Sequence, residues 1–200
     1  DVFSNSKVFD SLIGNSAIGH VRYSTTGNSD PKNVGPLTFN MGDYSLSIAH
    51  NGNLVNLDEI RKELQENGAL FQTSTDTEII IHLLAREKGA TLADKLEKVL
   101  QKIEGAYSLI LLSPSEIIAA RDPHGIRPFC MGKLQDTIVF ASETCALDLL
   151  GAEYVREVNP GEMIVANDKG FYSRNFTEPQ EAKHCIFEYI YFARPDSKIF

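Results

Sequence analysis

The spacing of apolar residues changes period twice along this chain, and few folds accommodate both changes. Short apolar runs come first: residues 17–23 (AIGHVRY) and 46–50 (LSIAH) are compatible with strands. Between them TTGNSDPKNVGP is dense in Gly, Pro, Asn and Asp and reads as a loop. A helical period then takes over. Leu57, Ile60 and Leu64 share one face, Asn56 stands as an N-cap with Glu59 three residues on, and Gly68 can stop the helix. Ile79, Ile80, Leu83 and Leu84 mark a second helix over about 77–88. Leu92, Leu96, Val99, Leu100 and Ile103 mark a third after Thr91, ended by Gly105. The remainder returns to strands: YSLILL, EIIAAR, PFCMGKL, TIVFAS, EMIVAN and CIFEYIYFA, interrupted by a short helix over 143–150 capped by Ser142. Strands, a block of helices and strands again define an α+β chain rather than alternating βαβ units. That many strands predicts two packed sheets flanked by helices.

The 200 residues, 42% hydrophobic and 23% charged, suffice for one domain with its own core. A net charge of -8 argues against a nucleic-acid partner, because such binding rests on Lys and Arg neutralising phosphates. No apolar run is long enough to span a bilayer, and DVFSNSKVFD lacks the basic and apolar regions of a signal peptide. Cys130, Cys145 and Cys185 are too few and too scattered for a disulfide framework or a self-contained metal site. These features predict a cytosolic protein. Asp1 at the start and FARPDSKIF at the end read as cuts in a longer chain.

Four segments carry residues suited to chemistry. In GHVRYSTTG, with His20, Arg22, Tyr23 and Thr25, an arginine at a strand end can hold a carboxylate through two parallel hydrogen bonds, or make a plain surface ion pair. In AHNGNL, Asn51–Gly52 is a hairpin turn or a pair of neutral donors for an oxyanion. A helix, not a returning strand, follows it. In TSTDTE, Ser74 and Thr75 suit helix capping, and Asp76 either caps or binds a cation such as an ammonium. In ARDPHGIRP the turn residue His124 is a surface histidine or a base.

GHVRYSTTG, AHNGNL, STDTE and EGAYSL, in this order, resemble the class II glutamine amidotransferases over essentially the whole chain. The resemblance implies an Ntn-hydrolase fold, a four-layer αββα sandwich of two antiparallel sheets between helices, here incomplete at the N-terminus. RDPHGIRP, FASETCALDLLGA, YVREVNPGE and CIFEYIYFARPDS narrow it to the amidophosphoribosyltransferase branch. There residues 1–184 would be the glutaminase domain without its N-terminal segment, and 185–200 the start of the junction to a phosphoribosyltransferase domain. The resemblance assigns the glutamine α-carboxylate to Arg22 with Thr25 beside it, and the α-ammonium to Asp76. It assigns the oxyanion hole to the Asn51 side chain and the Gly52 N–H. Its nucleophile is a cysteine at the mature N-terminus with its own amino group as base. None of the three cysteines stands there, so the chain alone is expected to be inactive. Glutamine and phosphoribosyl pyrophosphate are the implied substrates, in a cytoplasmic or plastid homo-oligomer without nucleic acid or membrane. Mg2+ would belong to the transferase domain. Cys185 falls where some members place one ligand of a [4Fe–4S] cluster, and is otherwise a partly buried free thiol; the chain alone is expected to bind neither group. Gly35 precedes Pro36 where the family usually has Gln. The glutaminase domain of glucosamine-6-phosphate synthase, which has Trp in place of Tyr23, and a catalytically silent glutamine-binding module are the alternatives.

Overall fold

The computed structural model describes residues 10, 12–21 and 31–198. Among them, nine strands form two antiparallel sheets. In chain order they are β1 (Leu37–Asn40), β2 (Ser45–Leu54), β3 (Gly105–Leu112), β4 (Ile117–Arg121), β5 (Cys130–Leu134), β6 (Thr137–Ala141), β7 (Glu153–Glu157), β8 (Glu162–Asn167) and β9 (Gly170–Asn175). The larger sheet has the order β1-β2-β3-β4-β8-β9 and the smaller one β6-β5-β7. Helices α1 (Leu57–Glu66), α2 (Asp76–Arg86) and α3 (Leu92–Leu100) separate β2 from β3 in the chain, and α4 (Thr144–Leu150) separates β6 from β7.

Alternation within the strands explains the layering. In β3, Tyr107, Leu109 and Leu111 point into a core shared with Ile80, Leu84, Leu96 and Val99 of the helices. Ile110 points the other way, toward Phe129, Met131, Ile138 and Phe140 of the smaller sheet. In β4, Ile118 and Ala120 face the helices while Ala119 faces the second sheet; in β8, Met163 and Val165 oppose Ile164 in the same manner. Strands covered on both faces need apolar side chains at successive positions, which is why they read as unbroken apolar runs. The smaller sheet turns its outer face to α4, where Cys130, Leu147 and Ala152 are buried. A Cβ on Gly132 would come within 2.8 Å of Leu147, so the glycine lets α4 lie close on β5. The order is therefore helices, six strands, three strands, helix: the expected αββα sandwich.

Local chemistry sets the helix ends, not always as expected. At α3, Thr91 and Asp94 form a reciprocal capping box, with Asp94 N–H donating to Thr91 Oγ1 at 3.1 Å. Gly68, in the left-handed region at φ 81, stops α1 as expected. Asn56 does stand at the cap of α1, but its side chain makes no cap bond. It donates to Lys102 O at 2.8 Å and accepts from Glu104 N–H at 2.9 Å, tying α1 to the α3–β3 connection. Gly105 does not end a helix; α3 has stopped at Leu100, and Gly105 opens β3 at φ 131 where a Cβ would strike Asn53 O. Glu143, not Ser142, occupies the cap position of α4.

Two expected strands are absent among the described residues. Of 17–23, residues 17–21 pair with no strand, and Arg22 and Tyr23 lie outside the described residues. Cys185 to Ala193 instead coils through a π-helical turn at Glu188–Phe192. Its aromatic residues favour strands only where a pleated surface covers them, and here Phe187, Tyr189, Ile190 and Tyr191 are exposed. Strands β1, β7 and β9 were not anticipated as strands; each lies at a sheet edge.

Leu109 is fully buried in the core between the larger sheet and the helices. Leu109→Ala should lower stability by about 2–5 kcal/mol, measured by urea denaturation, with the spread set by how far α2 and α3 settle into the gap.

Candidate active site

The end of β2, the head of α2 and the β6–α4 corner meet around a cleft of about 650 Å³. Asn51, Gly52, Asp76, Arg127, Ser142 and Glu143 are among its lining residues. A larger space of about 1100 Å³ adjoins it between the sheets and shares Asn51 and Ser142, but Gly52 and Asp76 line only the smaller cleft.

Asn51–Gly52 is not a hairpin turn. Both residues continue β2 and pair with Ser108 and Tyr107 of β3. Gly52 sits at φ 150, and a Cβ there would collide with the Ala106 carbonyl. The backbone can approach β3 this closely only because the residue is glycine. The Asn51 amide is held at its other side, donating to Ser142 Oγ at 3.4 Å.

Asp76 is the first residue of α2, where the helix dipole favours a negative charge. It does not cap the helix: Thr75 occupies that position, without a side-chain cap bond. One Asp76 oxygen accepts from Leu54 N–H at 3.3 Å, and His50 Nδ1 lies 3.4 Å from the other. Burial pushes the Asp76 carboxyl up, but the hydrogen bond and charge of His50 and the N–H groups of Leu54 and Thr77 outweigh it and hold it below the ordinary 3.8. The carboxylate thus stays ionised with part of its surface open to the cleft, as a site for an ammonium group requires.

The loop before Asp76 is fixed from beneath. Buried Glu78 accepts from the N–H groups of Gln72 and Thr73 at 2.8 and 2.7 Å and from the Thr73 hydroxyl at 2.7 Å. Ser74, expected to cap, instead bonds reciprocally with Asn33: Asn33 Nδ2 donates to its hydroxyl and its own N–H donates to Asn33 Oδ1. On the opposite wall, Arg121 donates to Arg127 O at 2.8 Å and Gly125 O at 3.0 Å, and Asp122 accepts from His124 and Ile126 N–H. Those bonds set the 122–128 turn and bring Arg127 to the cleft. His124 turns outward to Glu181 O at 2.9 Å and is not among the lining residues.

Arg22, Tyr23 and Thr25 lie outside the described residues; His20 and Val21, just before them, line the cleft. Gly35 now has a local reason, since a Cβ there would fall 2.6 Å from His20 Nδ1. Any larger residue, Gln included, would press on that ring. Sequence reasoning did not assign roles to His50, Asn33 or Glu78. His50 adjoins Asn51 in AHNGNL, the one local signal that could have singled it out.

The cysteines do not form a metal site. Cys130 and Cys145 are buried, and burial pushes the Cys130 thiol up to about 12. Cys185 Sγ lies 3.9 Å from Arg127 Nη1. No group of three or more His, Cys, Asp or Glu able to hold a metal occurs among the described residues. These residues alone therefore do not fit a cluster or a Mg2+ ion. No helix among them is long and apolar enough to cross a membrane.

The Asn51 amide and the Gly52 backbone thus share one cleft with an ionised carboxylate, at the end of a strand in an αββα sandwich. Residues 20–149 match the glutamine amidotransferase domain, and the chain belongs to that family. Over its full length it is 46% identical to the amidophosphoribosyltransferase of Bacillus subtilis (strain 168), covering 42% of that protein. It is 47% identical to chloroplastic amidophosphoribosyltransferase 2 of Arabidopsis thaliana, again over 100% of this chain but 36% of that one. The solved structure of B. subtilis glutamine phosphoribosylpyrophosphate amidotransferase, complexed with ADP and GMP, matches with a TM-score of 0.85 at 46% identity, over 90% of this chain and 39% of that one. The chain thus spans less than half the length of these relatives, and its sandwich is the Ntn-hydrolase fold.

Carboxyl NMR titration should place the Asp76 midpoint below 3.8. Because that value is depressed on folding, the stability Asp76 contributes is present above 3.8 and fades as pH falls through the folded midpoint. His50→Leu should move the midpoint up.

Proposed function

We propose that this chain is the glutamine-hydrolysing part of an amidophosphoribosyltransferase, supplying ammonia from glutamine to phosphoribosyl pyrophosphate to give 5-phosphoribosylamine and pyrophosphate. The observation that carries the reading is a single cleft lined by Asn51, Gly52 and Asp76. The identity to amidophosphoribosyltransferases along the whole chain supports the rest. Residues 1–184 are the glutaminase unit and 185–200 begin the junction to the transferase unit. The relatives, bacterial and chloroplastic, support a cytoplasmic or plastid location.

In this reading Asp76 takes the α-ammonium of glutamine, and Arg22 with Thr25 takes its α-carboxylate. That places the side-chain amide toward the end of β2. The attacking thiolate comes from a cysteine that this sequence does not contain. It adds to the amide carbon, and the carbonyl oxygen becomes an oxyanion between the Asn51 NH2 and the Gly52 N–H. Collapse expels ammonia with a proton from the general base and leaves a thioester. Water then cleaves the thioester to release glutamate and the thiolate. Neutral donors suit this step, since they stabilise charge only as it develops. Cys185 is the residue here that would reach a cluster shared with the transferase unit.

The test uses the full-length protein carrying this chain. Asn51→Ala should lower kcat for glutamate release by roughly a hundredfold or more, leaving synthesis from free ammonia intact. Asp76→Asn should act chiefly on the KM for glutamine, again sparing the ammonia reaction. Equal loss of both activities in either variant would remove that residue from the glutamine site.

A further inference from the structure

Residues beyond Cys185 run back along the cleft and are fastened to it twice. Arg127 Nη1 donates to Glu188 Oε1 at 2.6 Å, with the Glu188 side chain only 5% exposed. Farther on, one oxygen of Glu143 accepts from Arg194 N–H at 2.8 Å and from the Ser197 hydroxyl at 2.7 Å. Lys198 N–H adds a bond to Thr144 Oγ1 at 2.8 Å. The second anchorage is where β6 turns into α4, and the residue just before it is Ser142, the acceptor for the Asn51 amide.

Ser142 is itself exposed, one residue past the end of β6, and the placement of its hydroxyl follows the corner that carries it. An asparagine NH2 has two N–H groups. When Ser142 takes one, the direction of the other is settled. Its worth to an oxyanion depends on that direction being set before reaction. We infer that Glu143 is a positioning residue for Asn51: by gripping residues 194–197 it holds the Ser142 corner, and Ser142 orients the amide. The chain beyond the glutaminase unit thereby contributes to the oxyanion donor without touching substrate. The inference rests on the glutaminase reading above.

The test is steady-state glutamate release by the full-length protein. Glu143→Ala should lower kcat about tenfold with KM within about twofold, as for a reacting group displaced by a fraction of an ångström. Glu143→Gln keeps an oxygen that accepts both bonds and should restore kcat. Ser142→Ala should lower kcat similarly, and the double variant E143A/S142A should be no worse than E143A, the coupling expected of residues acting in series. Additive losses, a wild-type kcat in E143A or S142A, or a KM rise in place of the kcat loss overturn the role while leaving the glutaminase reading in place. A wild-type protein that releases no glutamate overturns both. Should E143A misfold, S142A and E143Q still decide, since S142A retains the anchorage and must lose kcat.

Discussion

A buried arginine joins the parts of this molecule. Arg121 ends β4 in the larger sheet, with 2% of its surface exposed. A guanidinium taken out of water is strongly unfavourable unless acceptors surround it. Val158 O at 2.7 Å and Glu157 at 3.0 Å supply them from the end of β7, in the smaller sheet; Gly125 and Arg127 supply them from the turn between. The next residue, fully buried Asp122, takes N–H groups from Tyr107 on one side and His124 and Ile126 on the other. Burial pushes its carboxyl up despite those donors. Apolar contact between the sheets fixes their distance but not their relative slide. Directional bonds from a side chain of the larger sheet to the end of the smaller sheet and to the turn fix the slide, and with it the cleft wall that Arg127 forms.

The cleft itself is an assembly of distant positions. Asn51 stands 91 residues from the hydroxyl that holds it. Asp76 receives a backbone N–H from 22 residues earlier, and the loop before it is stitched to Asn33 from 41 residues earlier. No segment is a site in isolation; each contributes one wall whose geometry the core dictates.

That distribution explains what the sequence disclosed. The apolar faces of α1, α2 and α3 are local properties, so those helices were legible, as were the double-faced strands β3, β4 and β8. Edge strands β1, β7 and β9 carry mixed faces and owe their form to a neighbour, so they were not. Aromatic residues misled over 185–193, because their preference for strands is a preference for a covering surface that Arg127 and Glu188 replace with an ion pair. Asn51, Gly52 and Asp76 stood out as candidates in the residues alone, but capping and turn readings compete with function there, and only the family resemblance gave them roles. Ser142 was noticed for the wrong duty, a helix cap, because its partner Asn51 is remote in the chain.

Gly52 against the Ala106 carbonyl has a consequence for how this domain can vary. Successive residues of a strand face opposite sides, so sliding β2 by one position would turn Asn51 away from the cleft. The crowded crossing at Gly52 admits no other residue of β2, which locks the strand against such a slip. Insertions and deletions can therefore accumulate in the 41–44 turn, whose length the lock does not sense. Between Leu46 and Leu54 a single gained or lost residue would dismantle the site at once. Descendants of this chain are thus free to drift in length in the 41–44 turn and almost nowhere within the strand that follows it.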